Sequence, residues 1–114
     1  MHEMALMAGI FDIIAKYTCD LDDAKKVTKV SLIVGELTNA LPDALQAAFS
    51  VYSQGTNVEG AILDIKEIPL ICDCHDCGWQ GKIEKYFFIC PKCTSGSLEV
   101  VSGRELRVES LEVD

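Results

Sequence analysis

Four cysteines constrain this chain more than any other feature: Cys74 and Cys77, then twelve intervening residues, then Cys90 and Cys93. Two Cys-x2-Cys pairs at this spacing let two short loops wrap one tetrahedral metal ion, the pattern of a zinc ribbon. Each pair lies in turn-forming sequence, Cys74-His-Asp-Cys77-Gly78 and Cys90-Pro-Lys-Cys93. Four thiolates close the coordination shell and leave no open position for a substrate, so the expected Zn(II) is structural. Residues 79–89 between the pairs are rich in aromatic and β-branched side chains and fit two short strands or a hairpin.

The remaining composition excludes several classes of function. Eighteen acidic against ten basic residues give a net charge of −8, and no basic run exceeds the Lys25-Lys26 pair, which argues against a nucleic-acid partner. Asp73, Asp76, Glu84 and Glu99 lie in or beside the cysteine segment, where a ribbon that grips phosphates would carry cations. No stretch approaches the ~18 apolar residues of a membrane span, and the first residues lack the basic start of a signal peptide. The expectation is a cytoplasmic protein in which six cysteines are not three disulfides: the paired ones serve as metal-bound thiolates, and Cys19, far from them, is a buried or inert thiol. No Ser/His/Asp set or phosphate-cradling glycine loop points to an enzyme. A thiol–disulfide oxidoreductase would use one reactive Cys-x2-Cys pair, not two matched ones.

Outside the cysteines the apolar pattern predicts an α+β domain. Leu6, Met7, Ile10, Phe11, Ile13 and Ile14 recur at helical spacing over residues 4–17. Residues 27–34 read as a strand with Val30, Leu32 and Val34 on one face, ending at Gly35. Pro42 suits the first turn of a second helix with Leu45, Ala48, Phe49 and Tyr52 inward and Gly55 as its stop. Leu63 and Ile65 mark a second strand that ends at Pro69. A last strand over residues 105–113 changes parity near Ser110, as a bulge would make it do. If that strand pairs with the earlier ones, the cysteine module is an excursion from the α/β domain and back. The domains are drawn as 1–70 with 98–114, and 71–97.

A second metal site is written in Met1-His2-Glu3. An α-amine, the amide nitrogen and ring nitrogen of His2, and the amide nitrogen of Glu3 can form fused chelate rings in a plane. Strong nitrogen donors in a square plane suit Ni(II) or Cu(II), whereas Zn(II) prefers a tetrahedron. The competing reading is a frayed helix start with Glu3 favourably placed against the helix dipole.

Taken together, Met1-His2-Glu3-Met4, Val34-Gly35-Glu36-Leu37, the Cys72-x-Cys74-x2-Cys77…Cys90-Pro-x-Cys93 set and the closing segment 105–112 resemble the HypA family, nickel metallochaperones of hydrogenase maturation. The resemblance implies two helices on a small three-stranded sheet, forming a nickel-binding domain, with an inserted four-cysteine zinc-ribbon module. It places the Ni(II) ligands at Met1, His2 and Glu3, and the Zn(II) ligands at Cys74, Cys77, Cys90 and Cys93. It implies partners too: a GTPase of the HypB type, the immature large subunit of nickel–iron hydrogenase and, in some organisms, urease accessory proteins. The working unit is monomer or homodimer. Cys72 and His75 remain as auxiliary candidates. The rival to nickel transfer is a zinc-ribbon adaptor that binds only protein partners.

Overall fold

The computed structural model describes residues 2–19 and 25–114. Helix α1 spans His2–Thr18 and α2 spans Pro42–Ser53; strands are β1 Val27–Gly35, β2 Ile62–Ile68, β3 Ile71–Cys74, β4 Gln80–Lys82, β5 Leu98–Ser102 and β6 Leu106–Val113. Two three-stranded sheets result, ordered β2-β1-β6 and β4-β3-β5. The chain divides into two compact units, one of residues 1–33, 40–66 and 107–114, the other of residues 34–39 and 67–106.

In the first unit the helical stripe buries Met7, Ile10 and Ile14, while Ile13 stays exposed, since it lies at the margin of the 3.6-residue face. Helix α2 starts with Pro42 at its first turn and buries Leu45, Ala48 and Phe49. Phe11 of α1 meets Phe49 and Tyr52 of α2 at ring centroid distances of 5.6 and 5.7 Å. Gly55 turns the chain with φ +75°, which costs glycine nothing, and Val27 then donates to the Asn57 carbonyl at 2.9 Å.

Strand β1 is central, so it is buried beyond the predicted Val30, Leu32 and Val34: Val27 and Ile33 on its opposite face are covered as well. Lys29 reaches an acid on each neighbour, Asp64 of β2 at 3.7 Å and Glu112 of β6 at 3.8 Å; exposed pairs of this kind add little stability. Backbone and side-chain bonds join Lys26 to Asp114 and Thr28 to Glu112, and Gly35 to Glu105, so β6 runs antiparallel to β1. Along β6 the half-buried residues are Leu106, Val108 and then Leu111, which is the change of phase the sequence shows near Ser110.

The second unit is broader than the 71–97 segment drawn from the sequence. Strand β5 pairs antiparallel with β3, and so does β4. Residues 79–89 therefore supply only one strand, β4, whose partner is Ile71–Cys74 rather than a second strand of a local hairpin; residues 83–89 form no strand. Gly35 belongs to this unit because its amide donates to the Glu105 carbonyl, while Leu37 donates to the Gly103 carbonyl at 2.8 Å. A side chain at Gly35 would collide with the Gly103 backbone, so the Val34-Gly35-Glu36-Leu37 run is a close backbone crossing as well as a strand end.

Candidate metal centres

The four cysteines come together from two turns built alike. Gly78 donates to the Cys74 carbonyl at 3.0 Å and Cys74 donates to the Trp79 carbonyl at 2.7 Å. Further along the chain, Thr94 donates to the Cys90 carbonyl at 2.8 Å and Cys90 donates to the Ser95 carbonyl at 2.8 Å. Both turns need a left-handed residue after the second cysteine: Gly78 has φ +75° and Thr94 has φ 63°. Glycine accepts that conformation freely, whereas a β-branched residue there is strained. Ser95 also donates from its hydroxyl to Asp76 and accepts the Ser97 amide at 3.0 Å, tying the second turn to the first.

The sulfur atoms of Cys74, Cys77, Cys90 and Cys93 all lie within 4.8 Å of one another. Cys74 and Cys93 are 3.6 Å apart, and Cys77 and Cys90 are 3.7 Å apart. A tetrahedron with metal–sulfur bonds of about 2.3 Å has edges of about 3.8 Å, so these separations fit one tetrahedral ion. The first cysteine of each pair is buried and the second exposed, so the centre lies against the unit on one side and opens to solvent on the other.

Crowding splits the acidities of these thiols. Burial pushes Cys90 up, but the amides of Cys93 and Lys92 and the neighbouring Cys77 and Cys93 sulfurs outweigh it and bring the group down to about 7. The Cys93 amide lies 3.4 Å from the Cys90 sulfur. At Cys93 the Ser95 amide pulls downward, yet burial and the sulfurs of Cys74, Cys77 and Cys90 prevail and push it up to about 12. At Cys77 the Trp79 amide and the Cys93 sulfur pull downward, but burial and the Cys74 and Cys90 sulfurs together outweigh them and raise it. Thiolates this close oppose one another's ionisation, and a divalent cation among them removes that opposition.

The two auxiliary candidates lie apart from this cluster. Cys72 is fully buried with Leu70 and Ile83, against Leu37, Trp79, Leu98 and Val100, and burial pushes its thiol up. It behaves as a small core hydrophobe. His75 is exposed, with its ring Nε2 3.3 Å from Glu99 Oε2, and its amide donates to the Ser97 carbonyl at 3.0 Å.

At the amino-terminal site Met1 lies outside the described residues, while His2 and Glu3 form the first turn of α1. His2 is exposed. The Glu3 carboxylate accepts the Leu41 amide, at the cap of α2, over 3.1 Å. That bond and its own backbone amide hold the Glu3 carboxyl below the usual carboxylate range against the opposing effect of burial, with His2 adding to the lowering. Sequence reasoning could not foresee this contact, since 38 positions separate the partners and no periodic signal links them. The turns at both cysteine pairs are legible in the sequence, but the left-handed position they share is not, because Thr94 carries no cue for it.

The chain is similar to known proteins over nearly its whole length. Residues 1–113 match the family described as hydrogenase/urease nickel incorporation, metallochaperone, HypA. A hydrogenase maturation factor HypA from Desulfitobacterium hafniense is 44% identical, with 100% of this chain and 99% of that protein covered. The corresponding factor from a Nostoc species is 39% identical, with 100% and 96% covered. Among solved structures, that of the Ni metallochaperone HypA from Helicobacter pylori superposes with a TM-score of 0.66 at 26% identity, covering 98% of this chain and 97% of that one.

Proposed function

The chain belongs to the HypA family of hydrogenase and urease nickel incorporation, and from that premise we propose that it carries Ni(II) as cargo at its amino terminus. Members of the family are metallochaperones and maturation factors, not enzymes. The proposed cargo ligands are the Met1 amine, the His2 amide and imidazole nitrogens, and the Glu3 amide nitrogen. The observation that carries this reading is the position of His2 and Glu3 in the first turn of α1. The first amides of an α-helix have no intrahelical acceptor, so nickel can replace their protons without breaking a helical hydrogen bond. The Glu3 side chain is engaged with Leu41 and contributes orientation rather than a donor oxygen. A chelate at the exposed start of one helix is selective by geometry and open enough to release its ion.

Zn(II) is the ion we assign to Cys74, Cys77, Cys90 and Cys93, because four thiolates at tetrahedral spacing fit it and provide no vacant position. There it supplies folding energy to the second unit. The recipient is the immature large subunit of a nickel–iron hydrogenase or, where urease is the client, its accessory proteins, with a GTPase of the HypB type as partner. We place the chain's work in the cytoplasm, as monomer or homodimer; no helix among the described residues is long and apolar enough to cross a membrane.

The deciding experiment is a Ni(II) titration of chain whose four thiols are metal-loaded and whose amino terminus is native, alongside His2→Gln. One tight equivalent in the parent, lost in the variant with thiol-bound metal unchanged, is expected. Equal nickel binding by both would leave an adaptor held together by its cysteine site and would end the cargo reading.

A further inference from the structure

The second unit displays an apolar surface that neither metal site uses. Between Ile83 and Cys90, both buried, the chain leaves the sheet and turns on itself, with Phe87 donating to the Glu84 carbonyl and Ile89 to the Phe87 carbonyl, each at 2.9 Å. The ends are held, and the side chains between them point outward. Tyr86 is 77% exposed, Phe87 64%, Phe88 39% and Ile89 53%. Four adjacent large apolar side chains in water are unusual unless something covers them. Beside them Lys82, Ile83, Glu84, Phe87, Ile89 and Pro91 line an open recess of about 200 Å³, suited to one apolar side chain.

Charge indicates what covers this surface. The segment that carries the recess, residues 82–92, holds three lysines, Lys82, Lys85 and Lys92, against the single acid Glu84. The Lys85 ammonium is bonded to Asn39 Oδ1 at 2.8 Å and lies 5.5 Å from the Tyr86 ring centre, so it holds the aromatic edge in place. Lys82 and Lys92 are exposed on either side of the recess in sequence. An anionic membrane or a nucleic acid would attract two lysines but repel the remaining charge of the chain. A symmetric pair of copies would set this patch against itself and bring lysines to face lysines.

We propose that the 82–92 surface docks an acidic segment of a partner protein, seating one apolar side chain in the recess against Phe87 and Ile89 with carboxylates on Lys82 and Lys92. Aromatic anchors in a desolvated centre supply most of the affinity of such a contact, and rim charges steer and select the partner. The proposal does not depend on nickel binding.

Random dodecapeptides displayed on phage and selected against the metal-loaded full chain would test it. The expected enrichment is one large apolar residue flanked by Asp or Glu. The consensus peptide, titrated by fluorescence polarisation, should bind about tenfold or more weakly to Phe87→Ser and to Lys82→Glu/Lys92→Glu. Ile62→Ser, an exposed apolar control in the first unit, should leave its affinity unchanged. Thiol-bound metal and nickel stoichiometry should stay at parent values in every variant, so failure here leaves the nickel reading intact. Several outcomes would overturn the proposal: no enrichment, enrichment without acidic residues, or equal losses in Ile62→Ser. So would Phe87-dependent binding to phosphatidylserine vesicles, or Phe87-dependent self-association in sedimentation equilibrium, in place of peptide binding.

Discussion

The first unit buries Met7, Ile10, Ile14, Val30, Leu32, Leu45 and Phe49, whereas three of the residues the second unit buries, Cys72, Cys74 and Cys90, are cysteines, and its buried aliphatic side chains are Val34, Leu70 and Ile83. One unit has enough aliphatic and aromatic surface to fold by packing; the other does not, and leaves a run of aromatics in solvent. Small segments without a sufficient core are held by covalent or metal cross-links. In the second unit the four thiols supplement the small core around Leu70, Cys72 and Ile83, while the first unit holds itself by packing and places its polar helix start, His2 and Glu3, at its end.

The sharpest way to break this contrast is to remove the metal. Binding of a structural ion contributes about 10 kcal/mol or more in small thiolate modules, so Cys90→Ser should unfold the second unit outright. Amide exchange should rise across β3, β4 and β5 and stay slow in α1, α2 and β1. Uniform loss of protection in both units would show that the thiol site supports the whole chain. The reciprocal change, Leu45→Ala, removes a fully buried side chain and should cost the first unit about 2–5 kcal/mol. Thermal unfolding followed by Phe and Tyr signals would show it, with the thiol-to-metal ratio unchanged. If Leu45→Ala released metal instead, the two units would not be separable in stability.

Much of this contrast was legible in the sequence, and the gaps have physical causes. The Cys-x2-Cys spacing sufficed for the thiol cluster, because two close pairs demand two turns. The helical stripe of α1 and the alternation of β1 and β2 gave their inward residues, since burial repeats with the period of the element. Ile71–Cys74 carries no strand signal in the sequence: it has four residues, two of them cysteines, and Cys74 reads first as a metal ligand. The compact units differ in extent from the domains expected at 1–70 with 98–114 and at 71–97, because Gly35 against Gly103 and β5 against β3 meet over long sequence separation, where no local pattern shows it. Cys72, an auxiliary candidate in the sequence, is buried with Leu70 and Ile83 and lies outside the four-sulfur cluster.

Acid should act on the two units differently, and in the first unit the group concerned is Glu3. Its carboxyl is held below the ordinary value of 4.5, chiefly by the Leu41 amide. A group whose folded value is lowered adds stability above its unfolded value, and that contribution fades as pH falls through the folded value. The first unit should therefore lose a small increment below pH 4.5, and Glu3→Gln should lack that part of the dependence because a neutral amide does not titrate. The second unit should respond at higher pH, since protons compete with metal for the thiolates. Acid titration of Glu3→Gln and parent, followed by amide signals from each unit, separates the two. Parallel curves for parent and variant in the first unit would mean that the Leu41 contact does not anchor the helix start. The orientation of His2 would then have to come from the bound ion itself rather than from the fold.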